Sequence, residues 1–178
     1  MFPSLNSKRF HLQQILPEDQ QFIFEGLSNP DVIRFYGVNY NSYSSTLMQM
    51  EFYDALLKNG TGIWWKIVAK EKAEPCGAIG FNNYQAKHHK AEAGFWLLPQ
   101  FWKKGIIKEV LPVMIDYMQS TIRIHRIEAL IEEGNDASIN AVVAAGFTFE
   151  GCLRDCEIKN GKYISLNIYS LLSDNQFV

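Results

Sequence analysis

Residues 122–161 read I-R-I-H-R-I-E-A-L-I-E-E-G-N-D-A-S-I-N-A-V-V-A-A-G-F-T-F-E-G-C-L-R-D-C-E-I-K-N-G, one full cycle of strand, helix and strand. Ile122 to Glu132 is rich in β-branched residues and reads as a strand. Ala137 to Ala145 spaces its apolar residues as a helix does, with Asn135 or Asp136 as N-cap and Gly146 as C-cap. Phe147 to Ile158 is extended again, and Asn160-Gly161 is the strongest hairpin signal in the chain, turning it back into Tyr163 to Leu172.

Working outward, Gly105 to Gln119 has helical spacing, with Pro112 removing one backbone donor and kinking the helix or shifting its start. Before it, Ile63 to Lys70, Cys76 to Tyr84 and Ala91 to Leu98 are β-branched or aromatic runs joined by short polar segments, an antiparallel meander. Arg9 to Ile15 alternates as a half-buried strand. Pro17 opens a helix toward Ser28 that Asn29-Pro30-Asp31 ends, and a second helix from Ser44 to Lys58 closes at Asn59-Gly60. The order predicts an α+β, or α/β layered, fold with one central sheet.

At 178 residues and 47% hydrophobic content, the chain can bury one substantial core. No linker or repeat divides it, so residues 1–178 read as one domain. The net charge of −2 does not suit a dedicated nucleic-acid binder. No window approaches a membrane span and MFPSLNSKRF lacks a secretory apolar core, so no membrane partner and a cytoplasmic location are expected. Cys76, Cys152 and Cys156 form no metal-ligand spacing with the histidines, and no metal is expected. Cys152 and Cys156, four apart in a strand, are expected to share a face too far apart for a disulfide and to pack in the core.

Two segments could carry chemistry. Leu98 to Ile106 ends a strand and opens a helix, bringing unpaired backbone N–H groups together with Lys103 and Lys104, an arrangement suited to a pyrophosphate. A solvated connector would carry the same charges. Glu132 to Ser138 also joins strand to helix, although Asn135 there equally suits a plain cap.

Taken together, Trp102-Lys103-Lys104-Gly105-Ile106-Ile107-Lys108-Glu109, His125-Arg126-Ile127-Glu128-Ala129, Asn135-x-x-Ser138, Gly146-Phe147, Glu150-Gly151 and Arg154 resemble the GNAT acetyltransferase pattern in its RimJ/RimL branch. The resemblance covers nearly the whole chain, and its specific part is the block from Arg126 to Arg154. It implies a mixed, mostly antiparallel sheet of about seven strands with helices on both faces, splayed between the fourth and fifth strands. Acetyl-CoA, as co-substrate, would wedge into the splay. Its pantetheine would pair with backbone at Phe95, Trp96, Leu97 and Leu98, and its pyrophosphate would sit on Trp102, Lys103, Lys104, Gly105, Ile106 and Ile107. Asn135 would hydrogen-bond the pantetheine arm and Ser138 would lie near the thioester sulfur. The loop departs from the family at Lys103, often glycine, and at Ile107, usually a small residue, where a β-branched side chain is expected to narrow the approach to phosphate.

The chemistry implied is direct attack of a neutral amine in a ternary complex. An α-amine titrates near 7.7 to 8.0, so a protein N-terminus, such as that of a ribosomal protein, needs only a modest base. Glu157 is the preferred base, at the position resembling the glutamate proposed for RimL-like enzymes. Ser138 would assist the leaving sulfur, and a backbone N–H near Leu97 would hold the oxyanion. Glu92 is the rival carboxylate or a wall of the acceptor site. Phe35, Tyr36, Tyr40 and Trp64 or Trp65 could line the acceptor groove, with core packing explaining at least one of the two tryptophans. His88 and His89 read as loop residues. The alternatives are a small amine such as a polyamine, an amino acid or an antibiotic as acceptor, or a CoA-binding module without turnover. Homodimerisation is left open.

Overall fold

The computed structural model describes residues 2–174. Among these, eight strands form one sheet in the order β1-β2-β3-β4-β5-β6-β8-β7. They are β1 (Leu5–Asn6), β2 (Phe10–Gln14), β3 (Ile63–Ala69), β4 (Glu74–Gln85), β5 (Lys90–Leu97), β6 (Arg126–Glu132), β7 (Thr148–Lys159) and β8 (Lys162–Leu172). The two-residue β1 is the strand that the sequence pattern does not signal. The helices are α1 (Gln20–Leu27), α2 (Pro30–Ile33), α3 (Leu47–Asn59), α4 (Ile106–Asp116) and α5 (Asp136–Ala144).

Asn29-Pro30 ends α1 as expected, but it also starts α2. The Asn29 side chain accepts the Asp31 N–H at 3.0 Å, the work of an N-cap, with proline at the first helical position. Gly60 closes α3 at φ +64°. Pro112 lies inside α4, which begins at Ile106 and gives way to a wider turn over Tyr117–Thr121. The strand expected from Ile122 starts only at Arg126. Arg123 has φ +61° and Ile124 N–H bonds back to Met118 O at 2.9 Å, so the extended run is broken there.

All neighbouring strands are antiparallel except β5 and β6, which run parallel and pair only over Lys90–Glu92 with Arg126–Glu128. Beyond Glu92 the ladder ends: β5 stays with β4 while β6 pairs with β8 along its whole length. This is the expected splay.

Paired residues share a face. Trp64, Gly80 and Gly94 are in register on the face covered by α1 and α3, with the Trp64 ring 5.4 Å from Tyr53 of α3. A Cβ on Gly80 would lie 2.4 Å from Ile63 O and 2.5 Å from the Trp64 ring, and one on Gly94 would lie 3.0 Å from that ring. Glycine at both positions lets the indole lie against the sheet beside the splay. Trp65 points to the opposite face, fully buried against Phe81 and Tyr117, with its N–H donated to Pro3 O at 2.6 Å. A side chain without exposed surface lines no groove, so Trp65 is a core residue, contributing roughly 3 kcal/mol by burial.

Cys152 and Cys156 are exposed, contrary to the expectation of core packing. β7 is the last strand of the sheet and carries two register shifts, after Phe149 and after Leu153, with Asp155 at φ +51°. Nearly every residue of this edge strand is exposed, whichever face it points to, so β7 offers no inward side for either cysteine to take.

Candidate active site

Because β5 and β6 run parallel, their diverging ends open on one side of the molecule, and each leads into a helix N-terminus. β5 continues through residues 98–105 into α4; β6 continues through residues 133–135 into α5. A wedge-shaped gap thus has backbone from β5 on one side and two helix starts at its mouth.

The Leu98 N–H bonds Cys76 O at 2.9 Å, toward β4. Alternation along the strand then turns the backbone groups of Ala93, Phe95 and Leu97 toward the gap. Of the four residues expected to pair with pantetheine, Phe95 and Leu97 therefore face it. Trp96 and Leu98 direct their backbone at β4 and bury their side chains in the core, a correction that follows from the strand period. The Leu97 carbonyl is taken by the Trp102 indole N–H at 2.8 Å, which ties the following loop to the end of β5.

In that loop Lys103 has φ +59° and Gly105 has φ +70°. The left-handed conformation at Lys103 accounts physically for a frequent glycine there, since a Cβ costs about 1–2 kcal/mol in that region. Ile106 and Ile107 are both buried, so the branched side chain of Ile107 is turned into the core rather than toward the loop. The loop is braced from outside: Arg9 Nε meets Glu109 at 2.6 Å, Arg9 Nη2 donates to Lys104 O at 3.2 Å, and Ser7 Oγ donates to Glu109 at 2.8 Å. Lys103, Lys104 and Lys108 stay exposed around the α4 start. Free N–H groups, left-handed turns and lysines at an eleven-residue helix fit a diphosphate, and the open β5 edge fits an amide-bearing arm.

Across the mouth, Asn135 caps α5, its side-chain oxygen accepting the Ser138 N–H at 3.3 Å. The cap uses only the amide oxygen, and Ser138 is half-buried.

On the α1–α3 side the register carries Glu92 of β5, Glu128 of β6 and Glu157 of β7 on a common face. Glu128 is neutralised by Arg126 at 2.7 Å and by Lys90 at 3.4 Å, and Arg126 also holds Glu150. Glu92 and Glu157 form no ion pair among the described residues. Glu92 is half-buried, and Asn83 Nδ2 donates to its Oε2 at 2.9 Å. Burial pushes its carboxyl above the usual carboxylate range; the Asn83 hydrogen bond and Lys90 oppose this, while Glu128 and Glu157 add to it. Glu157 itself is exposed. A cavity of about 500 Å³ opens over Glu92, walled by Leu56, Thr61, Asn83, Lys90 and Glu128.

Tyr36 is part-exposed as a residue, but burial around its hydroxyl, with Tyr53, Tyr40 and Glu92 nearby, holds its proton well above the usual range. Tyr40 donates to Gln49 at 3.0 Å. Lys159 pairs with Glu132 at 2.7 Å and also donates to Arg34 O, which clasps the β7–β8 hairpin to the chain just after α2. The roles of Asn83, Lys159 and Arg9 lie outside the sequence reading. Only Asn83 leaves a trace there, as an asparagine pair in a strand, where asparagine is disfavoured.

A parallel strand pair that splays toward two helix starts, with a carboxylate at the vertex, is the layout that the GNAT resemblance implies. Residues 9–148 match the family described as Acetyltransferase (GNAT) domain, and the chain belongs to that family. It is 33% identical over 177 residues, 99% of this chain and 100% of the relative, to an uncharacterized N-acetyltransferase, YoaA, of Bacillus subtilis. A ribosomal-protein-serine acetyltransferase of Escherichia coli is 30% identical over 103 residues, 58% of either chain. An acetyltransferase of Salmonella typhimurium that modifies the N-terminal serine of ribosomal protein L7/L12 superposes with a TM-score of 0.86 at 22% identity, over 97% of this chain and 100% of that one. The protein is an acetyl-CoA-dependent N-acetyltransferase. Among the described residues no group of His, Cys, Asp and Glu could hold a metal ion, and no helix is long and apolar enough to cross a membrane.

Proposed function

We propose that the protein acetylates the N-terminal α-amine of a protein in the cytoplasm, a ribosomal protein being the first candidate. The observation that carries this is the half-buried, unpaired Glu92 at the vertex of the splay, beneath a cavity open to an acceptor. The relatives that act on ribosomal proteins support the acceptor class.

When bound, acetyl-CoA would supply an acetyl thioester for the neutral amine: the C–N bond forms, the C–S bond breaks, and the proton the nitrogen loses is matched by the one that leaves CoA as the free thiol. Glu92 takes the ammonium proton: its raised carboxyl is a better base than an ordinary surface glutamate. The preference thereby moves from Glu157, which is exposed and serves as a second negative charge attracting the ammonium. Leu97 lies about 16 Å along β5 from Glu92, so the nearer gap-facing N–H of Phe95 donates to the carbonyl oxygen as negative charge develops, and the Ser138 hydroxyl donates a hydrogen bond toward the departing sulfur. Asn135 and the Trp102–Ile107 loop hold the cofactor arm and its diphosphate.

A polyamine acceptor is the second reading, favoured by the carboxylates Glu92 and Glu128 at one cavity, with Glu157 on the same face of the sheet. CoA release measured with peptides beginning Ser, Ala or Met, with polyamines and with amino acids tests both. Preferred turnover of the peptides supports the first reading, whereas polyamine turnover with inert peptides replaces it.

A further inference from the structure

We infer that Asn83 is the positioning residue of the active site: its amide holds one oxygen of Glu92 and leaves the other aimed into the cavity where the amine sits. This rests on Glu92 acting as the proton acceptor.

The geometry begins with a defect in the sheet. β4 and β5 pair without interruption from Gly77–Leu97 to Asn82–Glu92, and the register then shifts so that Gln85 meets Lys90. One residue more stands on β4 than on β5, a bulge. Asn83 sits at the bulge with φ +55°, a conformation that asparagine, aspartate and glycine tolerate better than other residues. The next residue leaves the β4–β5 ladder, Tyr84 N–H bonding Thr61 O at 3.0 Å. A regular strand would have kept residue 83 opposite Ala91, on the face away from Glu92. The bulge instead brings its amide to 2.9 Å from Glu92 Oε2, at the wall of the cavity.

Orientation follows from chemistry. A carboxylate only accepts, so the NH₂ end of Asn83 must face it. With Oε2 engaged, the Glu92 side chain is held in one rotamer and Oε1 remains to receive a proton. The charged or titratable groups facing Glu92 are Lys90 on its own strand, Glu128 on β6, Glu157 on β7 and Tyr36 beyond α2, and Tyr84 of β4 lines the same cavity. From the α3 side the cavity wall is formed by Leu56 and Thr61, neither of which titrates. Asn83 is thus the neutral donor that favours the ionised form of Glu92 against two neighbouring carboxylates.

The test uses Asn83→Gly and Asn83→Asp in the full chain, since both residues keep the left-handed backbone. The readout is kcat/KM against pH, with acetyl-CoA saturating and a peptide α-amine varied. Removing the donor disfavours the ionised carboxylate, so the acid limb moves to higher pH in Asn83→Gly, and further in Asn83→Asp, which adds a like charge. The KM for acetyl-CoA stays within about twofold of the parent in both, because the contact lies on the acceptor side. Melting temperatures should stay within about 4 °C of the parent. An acid limb that does not move in either variant, in a protein that turns over, overturns the role of Asn83 alone. No turnover of any amine by the parent chain overturns Glu92 as proton acceptor, and Asn83 with it.

Discussion

Glu92→Gln should stabilise the protein at neutral pH while disabling it. The folded-state carboxyl is pushed up by burial and by Glu128 and Glu157, against Asn83 and Lys90. For such a group the favourable contribution is fully present below the unfolded pKa and is lost as pH rises through the folded value. Near neutrality the parent protein therefore bears the cost of holding an ionised carboxylate in a poorly solvated position. Glutamine keeps the shape and can still accept the Asn83 hydrogen bond, but carries no charge. Removing one unfavourable charge of this kind is worth roughly 1 kcal/mol, the size common for single stabilising substitutions. For a chain of this size that is a rise of about 2–4 °C in Tm. At about pH 4, where the carboxyl is largely protonated in both states, the difference should vanish. Turnover should fall by about 10²-fold or more. Thermal melts of both proteins across this pH range, with CoA release at each pH, supply the check. A variant less stable than the parent near neutrality, or a Tm difference independent of pH, refutes the reasoning.

Trp102→Phe removes the hydrogen bond to Leu97 O; the KM for acetyl-CoA should rise about three- to tenfold, while that for the amine holds, in initial-rate kinetics. Lys159→Met leaves Glu132 unpaired and frees the hairpin from Arg34. A loss of roughly 2 kcal/mol in denaturant melts and a higher acceptor KM are expected. Gly80→Ala would drive a Cβ to 2.4 Å from Ile63 O, costing about 3 kcal/mol and about 6–12 °C in Tm by calorimetry. Gly37→Ala, with nothing within 4 Å, should be within about 0.5 kcal/mol of neutral.

Much of the fold was legible because its periodicities are clean. The Asn160-Gly161 hairpin, the Gly60 cap and the meander through Leu97 all follow local rules that tertiary contacts leave alone. The misplacements have two causes, irregular backbone inside a regular pattern and the position of a strand in the sheet. Arg123 breaks the run before β6, and β7, an edge strand exposed on both faces, leaves Cys152 and Cys156 outside the core. The β4 bulge carries Asn83 to Glu92. Positive φ at such positions is written in no periodicity. In the site, the splay and its loop were reached through family resemblance, whereas the weight of Glu92 over Glu157 depends on burial, which spacing along the chain does not encode. Trp64 and Trp65 were indistinguishable by alternation alone; the register with Gly80 and the bond to Pro3 separate them.

The most direct measurement is intact mass spectrometry of a peptide with a free α-amine after incubation with acetyl-CoA and the purified protein, alongside thiol titration of released CoA. The account predicts one acetyl group on the N-terminal nitrogen, CoA released in equal amount, and both lost with Glu92→Gln. Transfer that proceeds undiminished without the Glu92 carboxylate, or no acetylation of any primary amine, would contradict it.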